Sequence, residues 1–332
     1  MPSLQDRFRG CFLGAMMGDI AGAPVEAESP QYIANTFKSV DEILAVQSVP
    51  EFTGPAWQVG RFTDDTQMFL CVAQWLLDDA SHSPETLLAQ FAHAYEPWRR
   101  YGSGTEAILR VFPKHKDQWR ELATAMFPHG SFGNGSAMRV APVGLAFRHN
   151  LRPLPAVAIA SSRPTHSHYI AYQGATLIAL AVATAASSVD FSPEAFLRPM
   201  RAELQRCADL LQDKTQFARA LDAIDAGLKR QASCREMAAI LGTDVTAVES
   251  VPMALYCFLR HPEDYAQVIH EAIFAGGDTD TIACMAGAIS GAFLGASAIP
   301  TRWLVAVREE THTVGTVESL ADQLFHRFAQ AH

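Results

Sequence analysis

Charge is scarce in this 332-residue chain: only 18% of residues are Asp, Glu, Lys or Arg, against 49% apolar ones. Such a sequence has much to bury and little with which to build a solvated tail. Positive charge is the scarcer sign, 26 Lys and Arg against 35 Asp and Glu, for a net charge of -9. That balance excludes the basic stripe a nonspecific nucleic-acid binder needs, while leaving room for a local site that takes a small anion. Cysteine is sparse and unpatterned. Cys11, Cys71, Cys207, Cys234, Cys257 and Cys284 include no Cys-x-x-Cys pair, so neither a zinc site nor a disulfide framework is signalled.

Long apolar runs are also missing. Gly174 to Ala186 and Met285 to Ile299 are too short to span a bilayer and read as buried helices. Arg7 and Arg9 ahead of Cys11 to Met17, with Ala21-Gly22-Ala23 behind, imitate a secretory leader, but Asp19 interrupts the pattern. A cytoplasmic, monomeric protein with no membrane partner is expected. No stretch alternates with period two, and Val, Ile and Thr do not gather between turns. The expected fold class is therefore all-α. With no internal repeat and no linker, residues 1–332 are expected to form a single domain.

What the chain does contain is clusters of carboxylates and hydroxyls at the starts of apolar helices. Gly276-Gly277-Asp278-Thr279-Asp280-Thr281 precedes a helical stripe through Ile282, Met285, Ile289 and Phe293, in which Gly287, Ala288, Gly291, Ala292 and Gly295 would permit close approach. Phe62-Thr63-Asp64-Asp65-Thr66 precedes another through Met68, Phe69, Val72 and Leu76. Two readings are open for each: a helix cap, where Asp and Thr are preferred, or a hard-oxygen site for Mg²⁺ or Ca²⁺. Two adjacent carboxylates exceed what a helix end of about half a unit charge requires, and the recurrence of the pattern favours the metal.

Leu4, Phe8, Cys11, Phe12, Ala15 and Met16 recur with helical period, and Gly18, Gly22 and Pro24 are expected to end that helix in a turn that delivers Glu26. Ser83-Pro84-Glu85 opens a further helix, whereas Tyr101-Gly102-Ser103-Gly104 reads as loop. Gly130-Ser131-Phe132-Gly133-Asn134-Gly135-Ser136 is the most glycine-dense stretch and is expected to run straight into a helix, either as a phosphate cradle or as a flexible turn. It matches neither the P-loop nor the dinucleotide fingerprint. His166 and His168 have no third nitrogen or sulfur ligand nearby and read better as pocket hydrogen-bonding groups than as metal ligands. Residues 192–242 read as amphipathic helices through Leu204, Leu210, Leu211, Phe217, Leu221 and Ile224, and Glu249-Ser250-Val251-Pro252 opens one more.

In their order and spacing, Gly18-Asp19 with Glu26, Phe62 to Thr66, Gly130 to Gly135, Thr165-His166 and Gly276 to Thr281 resemble the ADP-ribosylglycohydrolase family over nearly the whole chain. Gly135-Ser136-Ala137-Met138-Arg139-Val140-Ala141, Glu249 to Pro252 and Tyr256-Cys257-Phe258-Leu259-Arg260 are similar to its serine-ADP-ribose hydrolase branch. The resemblance implies a single all-helical domain of orthogonally packed helices with a binuclear Mg²⁺ centre in a central cleft. Its implied metal ligands are Glu26, Thr63, Asp64, Asp65, Asp278, Asp280 and Thr281, with catalytic roles for Glu26, Asp65 and Asp278. ADP-ribose, free or carried on a protein, is the implied substrate, its diphosphate on Gly130, Ser131, Phe132, Gly133, Asn134 and Gly135. Asp64 and His166 would lie alongside the substrate, and Phe127, Phe132 and Val245 would hold the adenine end.

Phe132 stands where that branch often has Tyr, and the stretch from Phe127 to Gly130 is one residue short. The implied reaction is hydrolysis of the C1'' glycosidic bond, with serine-linked ADP-ribose first and poly(ADP-ribose) or O-acetyl-ADP-ribose also in range. The alternatives are an arginine-linked substrate or a silent ADP-ribose-binding relative, which the intact ligand set opposes. A helical prenyl-diphosphate enzyme also joins an all-α fold to aspartates, but Asp64-Asp65 lacks the third aspartate that would stand at Met68 or Phe69.

Overall fold

The computed structural model describes residues 2–50, 56–211 and 216–329. Its first helix, Leu4–Gly22, starts at Ser3, whose Oγ accepts from the Asp6 amide at 3.1 Å. The break expected at Gly18 does not occur, and the helix continues through Gly22 before a single 3-10 turn, Ala23–Val25. Those glycines have a different task. Gly10, Gly14, Gly18 and Gly22 form a four-residue stripe, and a Cβ on any of them would collide with backbone of the helix Thr279–Leu294.

The collisions run in reverse order. Gly10 faces Gly291, Gly14 faces Gly287, Gly18 faces Ala283, and Gly22 faces Thr279 and Asp280, so the two helices are antiparallel and touch backbone to backbone. Gly287 and Gly291 are equally blocked by Gly14 and Gly10. A glycine in a helix costs about 1 kcal/mol relative to alanine, so four of them are tolerable only where close packing repays the loss. Thr279 Oγ1 fastens the pair by donating to the Gly22 carbonyl at 2.9 Å, and Tyr265, on the neighbouring helix Tyr265–Phe274, donates to the Gly14 carbonyl at the same distance.

Two more helices, Tyr169–Ser187 and Ala247–Arg260, complete a centre that is buried almost all round. Tyr169–Ser187 starts at Tyr169, as its apolar sequence suggests, behind the cap His168, and so takes in five residues ahead of the run that begins at Gly174. It is thereby long and apolar enough to cross a membrane by length and composition, yet 83% of its most apolar window lies inside the protein. Pro193–Leu211, Gln216–Lys229 and Val314–Phe328 pack around the centre, the last two burying one face each. The side chains of Leu210 and Leu211 lie outside the described residues. Buried apolar residues from Phe8 to Leu324 form one connected cluster. Among the described residues the only strands are Ser48–Val49 and Trp57–Gln58, antiparallel with Ser48 opposite Gln58, which agrees with the all-α expectation.

Two local expectations are corrected. The helix Ser103–Val111 begins inside the stretch read as loop, with Gly102 as its uncapped N-terminal neighbour. The glycine-rich stretch folds into a 3-10 turn, Asn134–Ser136, and the next helix, Ala141–Ala146, starts only five residues later, because Pro142 suits a first turn.

The glycine contact predicts a contrast between two substitutions. Gly14→Ala should lower unfolding free energy by about 2–3 kcal/mol through overpacking, whereas Gly315→Ala, at an open helical position, should raise it by about 0.5–1 kcal/mol. Urea denaturation of both variants measures the difference.

Candidate active site

The first site segment is held from beneath. Asp19, on the buried helix one turn before Gly22, accepts from the Thr63 amide at 3.0 and 3.1 Å, from the Thr66 amide at 3.0 Å and from Thr66 Oγ1 at 2.6 Å. These bonds fix the start of the helix Asp64–Asp78, and Thr63 Oγ1 caps it by accepting from the Asp65 amide at 3.3 Å. From the side, buried Arg99 donates to the Phe62 carbonyl at 2.7 Å and pairs with Glu309 through two bonds of 2.9 and 3.0 Å. Its own carbonyl accepts from the Asp64 amide at 2.8 Å.

The second segment starts the helix Thr279–Leu294. Asp278 occupies the cap position, yet its side chain makes no capping bond. Instead Asn134 Nδ2, which also donates to Ser250 Oγ at 3.0 Å, donates to Asp278 Oδ2. Asp280 Oδ1 accepts from the Thr281 amide at 2.9 Å, and Thr281 Oγ1 reaches Asp65 Oδ2 at 3.4 Å, joining the two segments. The third segment carries Glu26. Its loop is tied to the glycine pair by the Ala27 amide on the Gly277 carbonyl at 2.8 Å and the Gly277 amide on the Glu28 carbonyl at 3.0 Å. Gly276 and Gly277 have φ of +74° and +78°, a left-handed conformation that a side chain would strain.

The three segments meet in a cleft of about 260 Å³. One carboxylate oxygen from each of Glu26, Asp278 and Asp280 lies within 4.8 Å of the others. Asp64 and Asp65 also line the cleft, and Asp65 Oδ1 is buried with no hydrogen-bond partner among the described residues. A buried acceptor without a donor is costly unless something positive completes it. The remaining carboxyls carry the same signature. Burial first, and then the charge of Asp280, pushes Asp64 and Asp65 well above the usual carboxylate range. Burial followed by the charge of Asp278 does the same to Asp280, and Asp278 and Asp19 are also raised. An all-oxygen set with an orphaned carboxylate oxygen fits a hard divalent cation.

Beside the acids, Ser131, Gly133, Asn134 and Gly135 line the cleft with His166, Phe127 and Val245. The glycine-rich stretch is held against residues 245–247 by the Asn134 amide on the Val245 carbonyl at 2.9 Å and the Ala247 amide on the Phe132 carbonyl at 3.2 Å. Three expected site residues lie off the wall. Thr63 stands behind Asp65, and Gly130 packs on Ser167 and His168. The Phe132 ring is half exposed, edge-on to His168 at 5.8 Å between centroids. Conversely, Arg100, Gly102 to Thr105, Met138 and Thr165 line the cleft although sequence reasoning did not single them out as contacts. Met138 and Thr165 stood inside quoted motifs, and Gly102-Ser103-Gly104 carried a further signal, the small residues that let a helix start approach a ligand.

A family model described as ADP-ribosylglycohydrolase matches residues 1–332. The protein called ADP-ribosylhydrolase ARH3 in Mus musculus is 33% identical over 323 residues, covering 90% of this chain and 86% of its own length. Its namesake in Homo sapiens is 32% identical over 328 residues, covering 90% and 88%. An uncharacterized protein of Archaeoglobus fulgidus is 31% identical over 97% of both chains. A solved structure titled ADP-ribosylglycohydrolase-related protein complex shares the fold with a TM-score of 0.64 and 26% identity, covering 98% of this chain and 99% of its own.

The raised carboxyls predict a pH signature. A carboxyl with a raised folded-state pKa is unfavourable to folding once pH exceeds its unfolded value near 4, and the penalty grows until pH passes the folded value. In EDTA, Asp65→Asn should therefore be more stable than wild type, with the gap in Tm widening from pH 5 to pH 8. Calorimetry of both proteins, differing only at this side chain, isolates the effect.

Proposed function

The chain belongs to the ADP-ribosylglycohydrolase family, and we propose that it is a Mg²⁺-dependent hydrolase releasing ADP-ribose from serine side chains of proteins. The observation that carries the reading is the meeting of Glu26, Asp278 and Asp280 within 4.8 Å, beside an orphaned Asp65 oxygen, in one cleft with a glycine-rich loop. Five carboxylates, Glu26, Asp64, Asp65, Asp278 and Asp280, would be brought to a net charge near -1 by two dications, which a buried cleft tolerates.

Such ions, when bound, would fix the vicinal hydroxyls of the distal ribose and acidify a water. The protein's own groups do the rest. Asn134 orients Asp278, and Thr63 and Thr281 orient Asp65, so the carboxylates are held before a ligand arrives. The diphosphate would lie along Ser131, Gly133 and Gly135 with His166, the Asn134 amide being taken by the Val245 carbonyl, and Phe127 and Val245 would offer apolar faces to the adenine end. C1'' gains positive charge as its bond to the acceptor breaks, water adds there, and the departing serine oxygen takes a proton. Glu26, partly exposed at the mouth of the cleft, is the carboxylate suited to moving that proton.

Arg100 favours a neutral acceptor over arginine. It lines the cleft, pairs with Glu26 at 3.1 Å and stands 4.4 Å from the centre of the Trp57 ring. A guanidinium leaving group would be brought against this fixed cation. The motifs from Gly135 to Ala141 and from Glu249 to Pro252 support the serine branch as well.

Incubation with serine- and arginine-linked ADP-ribosyl peptides, with and without Mg²⁺, tests the assignment. ADP-ribose should appear from the serine peptide only when Mg²⁺ is present, and release from the arginine peptide alone would overturn the branch. Mg²⁺ should raise the Tm of wild type but not of Asp65→Asn. Glu26→Gln should retain ADP-ribose binding while turnover falls about 10²–10⁴-fold; full activity in that variant would remove Glu26 from proton transfer.

A further inference from the structure

Beneath His166 lies a buried cation with no carboxylate on it. Arg139 is fully buried, and among the described residues it forms no ion pair. Its Nη2 donates to the Ser161 carbonyl at 2.9 Å and to Thr165 Oγ1 at 3.0 Å, and its guanidinium carbon stands 4.6 Å from the centre of the Phe91 ring. Thr165 Oγ1 has one other partner among the described residues, His166 Nδ1 at 2.7 Å.

The direction of each bond follows from what each group can do. A guanidinium only donates, so the threonine oxygen accepts from Arg139. The oxygen's second lone pair could accept from an Nδ1–H, but the hydroxyl proton would then meet no acceptor among the described residues, so His166 Nδ1 presents the lone pair. A neutral imidazole carries one N–H, so the proton sits on Nε2. Nε2 meets no acceptor among the described residues, and the Nε2–Cε1 edge lies against Gly133 and Gly135, where a Cβ would come within 3.4 and 3.0 Å of Nε2. Both glycines line the cleft.

We propose that Arg139 and Thr165 are positioning residues that lock His166 as an Nε2–H donor, aimed over Gly133 and Gly135 at the diphosphate of bound ADP-ribose. Burial, followed by the charge of Arg139, pulls the imidazole pKa down to about 3, so the doubly protonated ring does not compete with this tautomer at neutral pH. Arg139 itself, lowered by burial to about 9, keeps its charge there. The histidine is thus a directional neutral donor. A neighbour of His166 without a hydroxyl could not pass the hydrogen bond on.

The consequence for affinity rests on the ADP-ribose reading, whereas the tautomer does not. ¹⁵N NMR of the ligand-free wild type should show His166 Nδ1 in the unprotonated range and Nε2 as N–H; the opposite assignment overturns the proposal. Thr165→Val should mix or reverse the tautomers and weaken ADP-ribose binding about tenfold, while Thr165→Ser keeps both at wild-type values. A Thr165→Val protein with an unchanged His166 spectrum and unchanged Kd would also overturn it. If wild type fails to bind ADP-ribose yet shows the expected tautomer, the substrate reading fails and the lock stands. Should Thr165→Val not fold, the wild-type spectrum and Thr165→Ser remain decisive.

Discussion

Backbone contact between the helices Leu4–Gly22 and Thr279–Leu294 is the constraint on which the site depends. Because the first helix presents only glycines along this stripe, the pair cannot slide or separate without losing the close dispersion contacts made there. Its antiparallel register sets Gly22 against Thr279 and Asp280, so the end of one helix and the start of the other coincide. Glu26, four residues past Gly22, and Asp278, one residue before Thr279, then share a cleft wall. Asp19, one turn back from Gly22, gathers the third segment by binding the Thr63 and Thr66 amides. One contact therefore positions acids from both ends of the chain.

That placement is electrostatically expensive. Five carboxylates converge on the cleft, and those on the two helix starts are pushed above their ordinary range by burial and by one another. Hydrogen bonds from Asn134 to Asp278 and from the Thr281 amide to Asp280 offset only part of this. Relief is supplied from its edges: Arg99 with Glu309 holds the strand-like approach to Thr63, Arg100 meets Glu26, and Arg139 stands behind His166. Such a centre is a strained arrangement retained for function, since apolar side chains in the same positions would fold more stably. The glycine stripe supplies the rigidity that lets the strain persist.

The same division explains the behaviour of the glycine-rich stretch. Its path is set by pairing with residues 245–247 and by His166 lying against Gly133 and Gly135, contacts made by segments distant in sequence. Asn134 consequently turns inward to Asp278 and serves the acids, although its sequence position suggested only a phosphate contact. Phe132 turns outward toward His168. Neighbours in one motif thus face opposite ways.

Taken alone, the sequence determined that the protein is helical and which short motifs carry its chemistry. Helical periodicity, absent alternation and clustered Asp and Thr are local properties, written in residue type and spacing over a few turns. Whether the Asp278 side chain caps its helix was not a local matter: it makes no capping bond and turns instead to Asn134, which arrives from elsewhere in the fold. Nor could the sequence distinguish a glycine that ends a helix from one that lets another helix approach, because both are a missing Cβ and only the partner gives it meaning. Gly18 looked like part of a stop, yet the helix runs on to Gly22, and both glycines are where the helix Thr279–Leu294 comes close. Arg100, Thr165 and Arg139 acquire their roles in the same way, through distances and hydrogen-bond directions that exist only after the helices have packed.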